Sequence, residues 1–253
     1  MTGKATWSDY AGSIAVTALL IGLWALVSTN QWISPIYLPT PAATFRSLVA
    51  GLKLGDLLLL TSGTIERMCY GWALASVIGV AIGSLVGASR TLRVWLHPML
   101  ELIRPLPASA IMPAAIALLG LSPAMVLFVT AFGALWPVLL ATVHGFASIE
   151  PRLEDVAQVL GLSRLQLILK IGLPNALIDA FGGMRLSLTI SLILAVVGEM
   201  LAAQEGLGTA ILQAARTFRA PDLFAGVALL GMIGFASNML LNVFERRVLR
   251  WKY

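Results

Sequence analysis

The sequence predicts an all-α polytopic membrane protein with about six transmembrane helices. Three observations predict it: scarce charge, long uncharged intervals, and no strand-like alternation within those intervals. Of 253 residues, 58% are hydrophobic and 11% charged, whereas an ordinary soluble domain carries about 25% charged residues. A water-soluble fold of this length needs a polar surface that 12 acidic and 17 basic residues cannot supply. After Asp9 no charge appears before Arg46, and none lies within 68–89, 105–149 or 223–244.

A helix crossing the hydrocarbon core needs about 20 mainly apolar residues. The interval 105–149 is about twice that, so it folds back, and Gly120-Leu-Ser-Pro123 supplies the turn. Backbone groups without partners are costly in lipid, so the spans should be helices. A regular alternation of about ten residues per segment, as in a barrel, is absent.

The expected spans are Tyr10–Ser28, Ile65–Ala88, Leu96–Leu119, Pro123–His144, Leu177–Ala203 and Leu223–Phe244. The first lacks the short apolar stretch and small-residue cleavage site of a secretion signal and is read as retained. Between the first two, Ser34-Pro-Ile-Tyr-Leu-Pro-Thr-Pro41 is rich in turn formers. A short surface helix is expected from Ala42 to Leu54, with Pro41 at its start and Gly55 at its end. In the second span Gly71, Ala75, Gly79, Gly83 and Gly87 recur every fourth residue, a stripe that lets another helix approach closely. Packing within the bundle is the leading reading of this stripe, contact with a second copy the other. Pro105, Pro107 and Pro113 predict kinks in the third span.

Six spans put both termini on one side, together with Lys4, Arg90, Arg93, Arg152, Arg164, Lys170, Arg246, Arg247, Arg250 and Lys252. The other side keeps Arg46, Lys53, Arg216 and Arg219, with Arg67 near a span end. This excess places both termini in the cytoplasm. It also accounts for the sequence pI near 9.8 without a nucleic-acid partner. Trp7, Trp24, Trp32, Trp95 and Trp251 fall near span ends, as headgroup anchors do.

The loop between the fourth and fifth spans, Glu150 to Pro174, reads as two short helices. Pro151 suits a first helical position, Glu154 and Asp155 favour the positive end, and Gly161 supplies a left-handed terminus. Ser163 caps a second helix through about Ile171, with Gly172 and Pro174 beyond it. Leu153, Val156, Ala157 and Leu160 share one face of the first helix, and such a face fits a groove on a partner.

Asp155-Val156-Ala157, three residues, Gly161, nine residues, Ile171-x-Leu173-Pro174 resembles the EAA loop of ABC importer permeases. It stands at the matching place, on the cytoplasmic side two spans before the C-terminus. The departures are Asp155 where the pattern has Glu and Val156 where it has Ala. The resemblance runs from Leu38-Pro-Thr-Pro41 to Arg250-Trp251 and is closest to the nitrate/sulfonate/taurine branch. It includes Arg67 with Gly71, Gly87-Ala-Ser-Arg90, Leu102-Ile-Arg104-Pro105, Gly183-Met-Arg185, Gly198-Glu199-Met200 and Gly206-Leu-Gly208.

The resemblance implies one transmembrane domain over 1–253, of the type I ABC importer permease fold, in a bacterial inner membrane. It implies that two permease copies form a pathway, usually as a homodimer. Two cytosolic ABC ATPase subunits bind the loops, and an external binding protein, periplasmic or lipid-anchored, delivers a small oxyanion, sulfonate or related organic compound. The coupling residues would be Glu154, Asp155, Val156, Ala157, Leu160, Gly161, Ile171, Leu173 and Pro174. ATP and Mg would be held by the partner, since Gly-x-x-x-x-Gly-Lys-Ser/Thr is absent here.

Ionisable groups within spans require a partner, water or a function. Glu101 and Arg104, three apart on a helix, are expected to pair. Arg104, Arg185 and Glu199 are candidates for pathway or subunit contact, with anchoring the competing reading for the last two. His97 and His144 lack companions at metal spacing, and Cys69 stands alone. An ion-coupled secondary transporter would favour mid-span carboxylates and an internal repeat, neither of which is clear. An intramembrane enzyme built on Ser109 and His144 has no supporting motif.

Overall fold

The computed structural model describes residues 7–103 and 105–251. Lys4, Arg104 and Lys252 lie outside the described residues, as do the side chains of Trp7, His97, Pro151 and Glu154. The chain is helical: α1 (Trp7–Thr29), α2 (Pro41–Leu54), α3 (Leu57–Gly87), α4 (Arg90–Ile103), α5 (Ala108–Leu119), α6 (Pro123–Ala147), α7 (Pro151–Val159), α8 (Arg164–Leu167), α9 (Leu173–Ala202), α10 (Leu207–Arg216) and α11 (Ala220–Val248). A π turn, Ile168–Gly172, joins α8 to α9. Among the described residues, five helical stretches are long and apolar enough to cross a membrane, or six if α4 and α5 form one broken span. Leu19, Leu85, Phe235 and Leu240 are each more than 60% exposed. Such apolar surface is a liability in water and an ordinary boundary in lipid.

Two expected elements differ in form. The third span, expected over Leu96–Leu119 with proline kinks, is broken outright, because α4 and α5 meet at 87°. Pro105 and Pro107 both lack a backbone donor, and Pro107 stands in extended conformation at the head of α5 (ψ 126°). The second span begins at Leu57 rather than Ile65.

Residues are grouped by packing into two compact units. The first contains the chain up to Leu59 and Ala210–Gly231. Within it, Trp24 stacks on Phe224 with centroids 5.9 Å apart, and its indole N–H donates to the Pro39 carbonyl at 2.9 Å. Trp24 is therefore held by protein as well as placed near a span end. The Thr40 hydroxyl accepts from Ala43 N–H, starting α2 where Pro41 predicted. Ser47 donates to the Asp222 carboxylate, which also pairs with Arg219.

The second unit contains Leu60–Thr209 and the chain from Met232. Here the small-residue stripe of α3 lies on α6, as the intrachain reading expected. A Cβ added to Gly79 would come within 2.9 Å of the Val138 Cβ, and one on Gly83 within 2.7 Å of the Thr142 Cβ. The backbones are thus close enough to exclude larger side chains, giving many short contacts where no hydrophobic driving force operates between helices. On its other side α6 packs along α9, with Gly145 against Ala176, Gly183 against Pro137 and Gly198 against Val126. Met112, Ala115, Met125, Val126, Val129, Leu194 and Ala202 form a core shared by α5, α6 and α9. Leu96 and Leu100 of α4 pack on Val86, Leu139 and Val143.

Candidate functional site

The loop between α6 and α9 projects from a locked base. At that base the Asn175 side-chain amide donates to the Gly145 carbonyl at 2.7 Å and to the Ser148 hydroxyl at 3.3 Å. Gly145 meets Ala176, and Gly172 lies against the Phe146 ring, both too closely for a Cβ. The ends of α6 and α9 are therefore clamped to each other where the loop leaves them. Sequence reading missed Asn175 and Gly145. Their only signal was a small residue and an amide at the two ends of the loop.

Helix α7 starts at Pro151, which supplies a preset φ at a position whose N–H would have no helical acceptor. It ends through Gly161, which has φ +65°, while Leu162 N–H donates to the Ala157 carbonyl at 3.0 Å. That six-to-one bond with a left-handed glycine closes the helix, as the sequence predicted. Only Ala157 of the apolar set is buried. Leu153 is 43%, Val156 51%, Val159 88% and Leu160 68% exposed, and Asp155 is exposed beside them. Val159 was missed because it lies off the stripe that the spacing defines. The Glu150–Arg152 pair at the helix start is exposed and 3.9 Å apart, too loose to add much.

Ser163 caps α8 as expected, and Gln166 returns the bond, its side-chain oxygen accepting from Ser163 N–H at 2.9 Å. The expected end of this second helix at Gly172 and Pro174 is not found. The backbone instead widens into the π turn and continues into α9, with Leu173 N–H donating to the Ile168 carbonyl five residues back. Pro174 has no N–H and would crowd the carbonyl four residues earlier in a regular α-helix; the π turn shifts that carbonyl aside. Ile171, Leu173 and Pro174 are half-buried in this junction.

Glu199 lies near the far end of α9, fully buried within one copy of the chain. One carboxylate oxygen accepts from Arg67 at 2.9 Å; the other accepts from Thr64 and from Gly208 N–H, both at 3.0 Å. Arg67 also donates to the Glu205 carbonyl at 2.8 Å, and Leu207 N–H donates to the Thr64 hydroxyl at 2.9 Å. The buried carboxylate thus accepts three hydrogen bonds, as a charge out of water must, while Arg67 keeps some exposure. Gly206 and Gly208 are glycines because a Cβ on the former would overlap the Glu199 carboxylate and one on the latter the Val196 carbonyl. The separated motifs Arg67, Gly198-Glu199 and Gly206-Leu-Gly208 are thus one anchor.

Arg185 pairs with Glu245 of α11 at 2.5 Å, with the arginine side chain 47% and the glutamate side chain 11% exposed. The expected Glu101–Arg104 pair lies outside the described residues. Ser109 and His144 line different grooves. Among the described residues no group of three or more His, Cys, Asp or Glu side chains could hold a metal.

Residues 75–251, well over half of the chain, match the family model described as binding-protein-dependent transport system inner membrane component. The chain is 30% identical over 94% of its length to the putative aliphatic sulfonates transport permease protein SsuC of Bacillus subtilis, covering 87% of that protein. It is likewise 30% identical over 94% of its length to the taurine transport system permease protein TauC of Escherichia coli, covering 89% of it. Identity to the nitrate import permease protein NrtB of Leptolyngbya laminosa is 29% over 74% of this chain and 67% of that one. With its all-α membrane fold and its EAA-type loop between α6 and α9, the chain belongs to the inner-membrane components of binding-protein-dependent transport systems, the ABC importer permeases of the sulfonate, taurine and nitrate branch.

Proposed function

We propose that the chain is the transmembrane subunit of an ATP-driven importer in a bacterial inner membrane, with both termini in the cytoplasm. Two copies line the pathway, two cytosolic ABC ATPase subunits bind and hydrolyse ATP with Mg, and an external binding protein delivers the solute. The observation that carries this reading is the face of α7: Val156, Val159 and Leu160 stand uncovered on a short helix outside the spans, on a base clamped to α6 and α9. An exposed apolar stripe on a rigid arm suits insertion into a groove on another protein. Closure of the ATPase pair would then move α7 and, through the clamped base, tilt α6 and α9. The names of the relatives support a small oxyanion, sulfonate or related organic compound as solute.

The test is co-purification of the ATPase subunit with tagged permease. Asp155→Lys, beside the apolar stripe, should weaken recovery of the ATPase more than Glu150→Lys, which precedes the helix. Equal effects would overturn the assignment of the docking face.

A further inference from the structure

Arg246, Arg247 and Arg250 stand close together at the C-terminal end of α11. All three are exposed, and among the described residues no carboxylate pairs with any of them. The adjacent acid, Glu245, is already held by Arg185 of α9. Trp251 follows in the turn after the helix, 58% exposed. Bases at a span end fix the orientation of the chain, but orientation asks only for their number and side. It does not account for the surface that leads away from them.

That surface is a groove of about 310 Å³ between α3, α9 and α11, bordered by Cys69, Trp72, Leu188, Ser237, Leu240 and Phe244. All of it belongs to the second compact unit, and no residue that lines it is charged. The Trp72 indole N–H is spent on the Met184 carbonyl at 2.9 Å, and the Phe244 ring is backed by Phe181 at 6.1 Å. From Ser237 to Phe244 the helix rises about 10 Å, at about 1.5 Å per residue. One leaflet is about 15 Å deep, half of the hydrocarbon core, so the groove runs along most of it. Leu240, Phe244 and Arg247 follow at spacings of four and three and share one face of α11. Leu240 is 70% and Phe244 56% exposed. An aliphatic chain, an aromatic ring and a cation thus succeed one another along a single stripe, from the interior of the span to its end.

We propose that the groove and the arginines are one site, and that its occupant is an anionic glycerophospholipid of the leaflet bordering the C-terminal end of α11. An acyl chain lies along Leu240 and Phe244, and the phosphate meets Arg247, with Arg250 three residues on and Trp251 at headgroup depth. The site depends on the membrane fold and not on the ATPase docking proposed above. Within lipid no escape from water draws the chain to this groove; dispersion against its concave wall does. Selection is made at the head. The planar guanidinium matches phosphate, and cations without a carboxylate partner favour a lipid of net negative charge over a zwitterion. An acidic protein surface would also satisfy the arginines, but it would leave the apolar half of the stripe, which lies in hydrocarbon, without a partner.

The test is native mass spectrometry of the purified full-length chain in detergent, given equal amounts of dioleoylphosphatidylglycerol and dioleoylphosphatidylcholine. The wild type should retain the glycerol lipid about tenfold over the choline lipid. Arg247→Gln with Arg250→Gln should cut that preference to about threefold or less, with the thermal unfolding midpoint unchanged. Arg90→Gln with Lys170→Gln removes as much charge elsewhere and should leave the preference within about twofold of wild type. Ser237→Trp, which fills the groove, should lower retention of both lipids about fivefold and keep the preference between them. No preference in the wild type, equal losses in the two charge-matched variants, or undiminished retention in Ser237→Trp would each overturn the proposal. Unchanged lipid preference in the Arg247 and Arg250 variant, together with loss of the ATPase from it, would assign the arginines to a protein partner and overturn it as well.

Discussion

Arg67 and Glu199 are 132 residues apart in sequence and 2.9 Å apart in space, joined across α3 and α9. Two further donors, Thr64 and Gly208 N–H, complete the carboxylate, and Arg67 reaches on to the Glu205 carbonyl. The anchor thus ties one end of α3 to the segment that turns from α9 into α10.

Removing one member of a buried ion pair costs more than the pair contributes, because the survivor is left uncompensated. Glu199→Ala should lower stability by about 3 kcal/mol, read as a fall in the thermal unfolding midpoint of detergent-solubilised protein. Gly206→Ala should also destabilise, since its Cβ collides with the Glu199 carboxylate. The double substitution should cost less than the sum, because the clash disappears with the carboxylate. Simple additivity would refute the geometry.

The α3–α6 contact predicts a rescue. Gly79→Ala drives a methyl to within 2.9 Å of the Val138 Cβ and should cost about 1–3 kcal/mol. Val138→Ala on the partner helix should restore part of that loss in the same background. The midpoint of thermal unfolding checks both.

Gly161 is conformational rather than steric: its φ is +65°, and nothing lies within 4 Å of an added Cβ. Gly161→Asn should be tolerated, Gly161→Ala should cost about 1 kcal/mol, and Gly161→Pro, confined to negative φ, should abolish coupling or assembly. Solute-stimulated ATP hydrolysis by the purified complex is the readout, and normal stimulation in the proline variant would count against the coupling role.

Val159 and Ala157 share α7 but should fail differently. Val159, 88% exposed, can become Asp without harming the fold, so recovery of the ATPase should drop at least tenfold with the unfolding midpoint unchanged. Ala157, 1% exposed, should destabilise the permease itself when changed to Asp. A Val159→Asp permease that retains its ATPase would place the docking face elsewhere.

Much was legible from residue order because it rests on local rules. Pro41 starts α2, Gly161 turns the chain left-handed, and Ser163 caps α8; each involves neighbours within a few positions. Glu199 was different. Its residue type near a span end fitted pathway, interface or anchor equally, because its partners Thr64 and Arg67 are more than 130 residues upstream. Pro174 was read as a stop, since a proline normally ends a helix, and propensity does not reveal that a π turn can absorb it. The prolines of the third span predicted kinks, but local residue type does not set the size of a bend, and the 87° between α4 and α5 is decided by packing.

By itself the sequence determined the solvent, the helical class, the approximate spans and the loop that marks the family, since hydropathy and turn chemistry act over a handful of residues. Only the tertiary structure decided which helix received the glycine stripe, which arginine neutralised Glu199, and which side of α7 stayed uncovered. Those depend on distances between segments remote in the chain, set by packing of many side chains at once rather than by any one residue's preference.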